Sequence, residues 1–167
     1  PFKAAALWDQ MEKAGLPGIQ GVWGHEAGGA RMVLTVAIKA MYPGHSKQAG
    51  FLAANCHQGA YSNKLVVVVD DDIDPSDWDE VLWAICTRTD YRYGIDILHR
   101  NWTTPNDPMH YPEKEQQDVF NSRMIIDACR PWERRHEFPP VASLRPEQKT
   151  AVRERWQQLF QQRRSVV

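Results

Sequence analysis

Residues 42–48, with the sequence YPGHSKQ, combine groups that bind anions in proteins. A glycine precedes the start of a predicted helix, and Ser46 and Lys47 lie in its first turn. The first turn of a helix has unpaired backbone N–H groups and a partial positive charge, which attract phosphate or carboxylate. The spacing is not that of a Walker A loop. The segment is consistent with an anion site that includes Lys47 or with a turn followed by a solvated lysine.

Four aspartates in residues 70–74 follow an apolar run at 65–69. Carboxylates at the end of a strand bind Mg²⁺ or Ca²⁺ in many α/β proteins. They also stabilise the positive end of a following helix, and Ser76 and Asp77 are candidate N-caps here. Exposure to solvent and a subunit contact are further possibilities. We favour the structural role, because no acidic residue completes an EF-hand pattern, and predict no metal site.

The adjacent pair His25 and Glu26 has groups that transfer protons. Neighbouring residues on a strand point to opposite faces of the sheet, so the two side chains would not converge on one substrate. We therefore expect a place at the edge of a strand rather than a catalytic role.

Residues 101–108 form a predicted loop with the sequence NWTTPNDP. Long loops in compact domains often carry function. Trp102 suits the wall of an aromatic pocket, and Thr104 or Asn106 suits the orientation of a polar group. A surface loop with its tryptophan packed inward fits the sequence equally well.

The C-terminal stretch is basic. Its apolar side chains have the helical spacing of a helix that docks on another surface, and they are Val152, Trp156, Leu159 and Phe160. A nucleic-acid-binding helix is one interpretation of the basic residues. An amphipathic helix that contacts a partner subunit is the more ordinary one.

Composition limits the classes of function. The 167 residues include 20 basic and 21 acidic side chains, so the net charge of −1 gives no reason to expect nucleic-acid binding. No apolar run approaches the roughly 20 residues that span a bilayer. Three cysteines without a CxxC pattern favour reduced thiols and a cytoplasmic location. The chain starts at Pro1 and is predicted to be helical almost at once, so we expect it to be part of a longer polypeptide.

Hydrophobic periodicity predicts the elements that position these residues. They are a helix over 2–14, strands over 18–26 and 31–39 joined by a turn at 27–30, a helix over 45–61, a strand over 65–69, a helix from 76 or 77 to 86, strands over 95–98 and 124–128, and a helix over 144–163. This order predicts an α/β domain, with a layered mixed sheet flanked by helices and a C-terminal helix. We expect one domain over 1–143, followed by a helix and tail over 144–167 that contact another subunit.

Several longer strings resemble one family. They are AIKAMYPGHSKQ at 37–48, VVVVDDDIDP at 66–75, EVLWAI at 80–85 followed by Thr87 and Arg88, and NSRMIIDA at 121–128. Their order and spacing are similar to those of the UbiD-like decarboxylases, which use prenylated FMN. The resemblance covers nearly the whole chain but only the C-terminal part of such an enzyme.

The resemblance implies a role for this domain in non-oxidative decarboxylation of aromatic, heteroaromatic or α,β-unsaturated acids. Lys47 matches the lysine that reaches the phosphate of prenylated FMN, and Trp102, Thr104 and Asn106 lie where the family places side chains over the substrate. The catalytic residues and the ligands of a divalent metal belong to an N-terminal flavin domain. Ligands of potassium in that domain are a further expectation. This chain would then contain no catalytic residue and no metal ligand.

The same resemblance implies assembly into a homo-oligomer. The alternative from another class is a stand-alone oligomerisation domain or subunit without catalytic activity.

Overall fold

A computed structural model describes residues 2–107, 109, 119–142 and 145–164, the last seven by backbone only. The chain divides into two compact units, Pro1–His136 and Glu137–Val167. The first unit contains the sheet and four helices. None of the helices described is long and apolar enough to cross a membrane.

The elements of the first unit alternate between helices and strands. In chain order they are α1 (Phe2–Lys13), β1 (Ile19–Gly24), β2 (Val33–Ile38), α2 (His45–Asn55), α3 (His57–Ala60), β3 (Leu65–Asp70), α4 (Trp78–Arg88), β4 (Ile95–Trp102) and β5 (Phe120–Ala128). The predicted class, a layered mixed sheet flanked by helices, is confirmed.

The five strands form one sheet in the order β1-β2-β3-β5-β4. Strands β2, β3 and β5 are parallel, while β1 and β4 run antiparallel to their neighbours. The three parallel strands therefore end at the same edge of the sheet, which we call the carboxyl edge. Because β4 is antiparallel, it begins at the carboxyl edge and ends at the opposite, amino edge.

Each face of the sheet buries its own apolar cluster. Helices α1 and α2 cover one face, where Leu7 and Met11 pack with Val66 and Val68. Gly50 lets α2 lie close to the sheet, because a Cβ at this position would stand only 2.5 Å from Cγ2 of Ile125. Helix α4 covers the other face with Val81, Ala84 and Ile85. Burial on both faces explains why β3 is a continuous apolar run.

Two predicted strands are longer in the structure. Strand β4 continues past Leu98 through a bulge, where Arg100 has a φ of +55°. Strand β5 begins at Phe120 rather than Met124, so its first half is polar. The helix predicted over 45–61 divides at Cys56, whose ψ of 158° is extended.

Arg123 explains the polar half of β5. Its side chain is only 1% exposed, and no carboxylate contacts it within the described residues. Its guanidinium donates instead to four oxygens: the carbonyls of Ala54, Ala60 and Trp102, and the side-chain oxygen of Asn121. Two of these carbonyls lie at the ends of α2 and α3, where helical carbonyls lack partners. Arg123 thereby joins both helix ends to β4 and β5.

The second unit contains one helix, α5 (Pro146–Arg164). Val152 and Trp156 of the predicted apolar stripe lie one turn apart on it. Leu159 and Phe160 of that stripe lie on backbone that the structure describes, but their side chains are outside the described part.

Loss of the Arg123 side chain should strongly destabilise the fold. Arg123→Ala leaves several buried carbonyl oxygens without donors, and we expect the free energy of unfolding to fall by about 3 kcal/mol. Urea denaturation measures the difference. The matched control is Arg92→Ala, which removes an exposed arginine paired with Asp90 and should leave the midpoint nearly unchanged. Equal midpoints for the two variants would contradict the role of Arg123.

Candidate functional site

A cavity of about 310 Å³ opens at the carboxyl edge of the sheet. Its wall comes from the segments that follow β2, α4 and β5, together with the start of α2. The residues that line it are Ala40, Tyr42, Gly44, Ser46, Lys47, Arg88, Asp90, Tyr93, Gly94, Asp127, Cys129, Arg130, Pro131, Trp132 and Glu133. Lys47 is the predicted site residue among them.

The start of α2 forms one side of the cavity. Gly44 precedes the helix with a φ of +77°, a conformation that favours glycine. No side chain caps the helix. His45 is buried and points away from solvent, and its Nδ1 accepts a hydrogen bond from the backbone N–H of Met41. The uncapped first turn therefore presents backbone N–H groups and the positive end of the helix dipole beside the cavity.

Two carboxylates hold the side chains of this turn. Lys47 Nζ donates to Oδ2 of Asp96 on β4, and about a third of each of these side chains is exposed. Ser46 Oγ donates to Oδ2 of Asp127 at the end of β5. Burial raises the pKa of Asp127, although its hydrogen bond from Ser46 acts in the opposite direction. The start of α2 is thus tied to both β4 and β5.

An ion-pair network forms the opposite side of the cavity. Asp70 is 2% exposed and accepts from Arg88 Nη1 at 3.0 Å and from Nε and the backbone N–H of Arg130 at 3.0 and 2.8 Å. Arg88 also donates to both carboxylate oxygens of Asp72, at 2.7 and 2.8 Å. The hydrogen bonds from Arg88 hold the pKa of Asp72 below its usual value of 3.8.

Arg88 retains one donor without a partner. Its Nε is buried and makes no hydrogen bond, although the side chain is 4% exposed and lines the cavity. An unpaired buried donor is costly. Because Nε itself is shielded from solvent, the donors that the cavity offers to an anion are Lys47 and the N-terminal turn of α2.

The acidic run at Asp70–Asp74 has structural partners in the chain. Asp70 and Asp72 bind arginines, Asp74 accepts from Ser76, and Asp77 caps α4 through the N–H groups of its first turn. In the described ranges, no group of three or more His, Cys, Asp and Glu side chains is placed to hold a metal ion.

The residues predicted to contact substrate lie at the amino edge. Trp102 ends β4 with its ring centroid 5.3 Å from that of Tyr61, and Thr104 is buried with Oγ1 2.7 Å from Ser62 Oγ. Asn106 is exposed. Trp102 lies six positions after Asp96 on β4, which is about 20 Å of strand. The structure therefore does not bring these three residues to the cavity that contains Lys47.

His25 and Glu26 lie apart from the cavity. His25 is 4% exposed, its Nε2 lies 3.0 Å from Thr35 Oγ1, and its ring contacts Trp78 edge to face. Burial lowers its pKa. Glu26 is exposed in a short 3₁₀ turn. His25 has a packing role, Glu26 is exposed, and the two side chains do not converge on one site.

Sequence reasoning missed three residues that line the cavity, and it missed Asp96, which binds Lys47 without lining the cavity. Arg88 was noticed only as part of a string, and Asp96, Asp127 and Arg130 were not singled out. Asp127 and Arg130 follow the buried part of β5, so their place at the end of a parallel strand was an available signal. Asp96 gave no such signal, because the contact with Lys47 depends on the antiparallel direction of β4.

Comparison with known proteins gives one consistent result. The family model described as 3-octaprenyl-4-hydroxybenzoate carboxy-lyase C-terminal domain matches residues 1–128.

Among solved structures, the UbiD-class enzyme HmfF from Pelotomaculum thermopropionicum, in complex with FMN, is 27% identical with a TM-score of 0.73 over 85% of this chain and 30% of its own. The 3,4-dihydroxybenzoic acid decarboxylase AroY of Klebsiella pneumoniae is 28% identical with a TM-score of 0.71, over 86% of this chain and 30% of its own. The chain therefore spans about a third of the length of these relatives.

Acidification should remove the stabilisation that Asp72 provides. A carboxyl group whose pKa is lowered by folding stabilises the fold above its unfolded pKa, and the contribution is lost as the pH falls through the folded pKa. We therefore expect the difference in urea midpoint between the wild type and Asp72→Asn to be constant above about pH 5 and to shrink below pH 3.8. Asp71→Asn, an exposed neighbour, is the control. A difference that grows on acidification would be inconsistent with the Arg88 contact.

Proposed function

The chain belongs to the family of 3-octaprenyl-4-hydroxybenzoate carboxy-lyase C-terminal domains, and we propose that it binds the phosphate end of prenylated FMN in a complete UbiD-class decarboxylase. The complete protein would remove CO₂ without oxidation from an aromatic, heteroaromatic or α,β-unsaturated carboxylic acid. Because the chain spans about a third of its solved relatives, this activity is proposed for the whole protein and not for the domain alone.

The observation that carries the proposal is the convergence of anion-binding groups on one cavity. Lys47 and the uncapped start of α2 lie in one segment, and Arg88 at the end of α4 lines the same cavity at the carboxyl edge. Phosphate is the anion that helix N-termini and basic side chains most often bind together. The residues present therefore fit the phosphate end of the cofactor.

Each of these groups has a distinct role in this proposal. Lys47 would bind a phosphate oxygen through its ammonium group, and the first turn of α2 would donate backbone N–H groups. Arg88 would add positive charge at the cavity wall, in a position that is fixed because Asp70 and Asp72 hold its guanidinium. Prenylated FMN, when bound, supplies the electron sink for loss of CO₂.

Aromatic side chains of the cavity support a planar ligand. Tyr42, Tyr93 and Trp132 line the same wall as the charged groups. Rings of this kind pack against flat, conjugated molecules. AroY is a decarboxylase of 3,4-dihydroxybenzoic acid, which supports an aromatic acid as the substrate class.

The remaining partners are proposed from the family. An N-terminal flavin domain would supply the catalytic residues and would bind the divalent metal and potassium, and the complete protein would be a cytoplasmic homo-oligomer. The subunit contact of 144–167, and the boundary after residue 143, remain predictions. The substrate contacts of Trp102, Thr104 and Asn106 also remain predictions, and their position at the amino edge does not support them.

Lys47→Ala in the complete decarboxylase should weaken retention of the cofactor. The variant loses a charged donor to the phosphate, so we expect the dissociation constant for FMN to rise by about tenfold or more. Flavin absorbance after gel filtration and a fluorescence titration measure the loss.

The matched control for this experiment is Lys13→Ala. Lys13 also forms an ion pair with an aspartate, Asp9, but it lies on the exposed side of α1. Unchanged flavin occupancy in Lys47→Ala would contradict the proposed phosphate site. A native assembly of this chain with neither flavin nor decarboxylation would favour the oligomerisation domain instead.

The predicted contact of Trp102 with substrate has its own test. If Trp102 covers the substrate, Trp102→Ala raises KM and leaves the thermal midpoint close to the wild type. If it only packs against Tyr61, the midpoint falls and KM is unchanged. Steady-state kinetics with differential scanning fluorimetry separates the two results.

A further inference from the structure

The cations of the cavity are all paired with carboxylates of the described chain. Arg88 and Arg130 bind Asp70 and Asp72, and Lys47 binds Asp96. An anion that enters the cavity therefore competes with acidic groups that already occupy its cations. The affinity of the cavity for phosphate depends on which of these ion pairs separates when phosphate binds.

The ion pairs of Asp70 with Arg88 and Arg130 cannot separate to admit an anion. Asp70 is buried and shared by two arginines, so a separated pair would leave uncompensated charges away from water. The pair of Lys47 and Asp96 differs, because about a third of each side chain is exposed and its carboxylate accepts no other hydrogen bond in the described residues. Asp96 can therefore turn toward solvent at little cost.

We propose that Asp96 is an internal competitor of phosphate for Lys47, and that phosphate binds by replacing the Asp96 carboxylate on the Lys47 ammonium. This inference rests on the proposed phosphate site and names the residue that sets its affinity. The exchange keeps Lys47 paired in both states, first with a carboxylate and then with a phosphate oxygen.

Asp96 has two opposing effects on the affinity for phosphate. Their relative sizes decide whether its removal strengthens or weakens binding. Asp96 orders the Lys47 side chain, which favours binding of any ligand. It also places a negative charge beside the position of a dianion, and this repulsion acts on both charges of the phosphate at short range. Lys47 is two-thirds buried in the wall of the cavity, so it remains confined without Asp96. Repulsion therefore outweighs ordering.

The test uses inorganic phosphate and FMN as probes of the chain, with calorimetry at low salt and pH 8. Asp96→Asn should bind both probes about tenfold more tightly than the wild type. Asp90→Asn is the matched control: Asp90 lines the same cavity but binds Arg92, so the same loss of charge should change affinity much less. In a Lys47→Ala background, the gain from Asp96→Asn should fall to the size of the Asp90→Asn effect.

The possible results separate this inference from the proposed function. If Asp96→Asn binds phosphate as the wild type does or more weakly, while Lys47→Ala loses binding, the competition is refuted and the phosphate site stands. An equal gain in affinity in Asp90→Asn would mean that Asp96 acts only through the overall charge of the cavity. This result would also refute the competition. If neither probe binds to any variant, the phosphate site fails, and the competition fails with it.

Discussion

The buried carboxylate of Asp70 is the constraint on which the cavity depends. It lies at the end of the central strand β3 and accepts hydrogen bonds from the last residue of α4 and from the segment after β5. Helix α4 and the segment after β5 are thereby fixed to one oxygen atom, Oδ2 of Asp70. Since a buried charge must remain paired, none of the three elements can move without the others. The ion pairs of Asp70 thus hold one side of the cavity in place.

Each edge of the sheet buries one arginine, and the two guanidinium groups have different partners. At the carboxyl edge, Arg88 is neutralised by two aspartates, and its Nε is buried without a hydrogen bond. At the amino edge, Arg123 directs its donors to four oxygens, three of them backbone carbonyls. The first arrangement is a network of ion pairs, whereas the second has oxygens on both terminal nitrogens and on Nε.

The sequence predicted most of the fold because its strongest signals are local. The apolar run of β3, the turn between β1 and β2 and the Asp77 cap of α4 depend on neighbouring residues only. The length of β5 was missed because Asn121 and Arg123 are polar, and most of the carbonyls that explain their burial lie more than fifty residues away. Lys47 was identifiable from its position after a glycine. Its partner Asp96 was not, since the pairing depends on strand order rather than on spacing.

The bulge in β4 has a consequence for the behaviour of the chain in solution. Strand β4 lies at the edge of the sheet, and a long regular edge strand offers backbone groups to which strands of other molecules add. The irregular register between Leu98 and Asn101 interrupts that row, and Arg100 adds a positive charge at the interruption. An edge strand that is interrupted and charged in this way disfavours the addition of strands from other molecules.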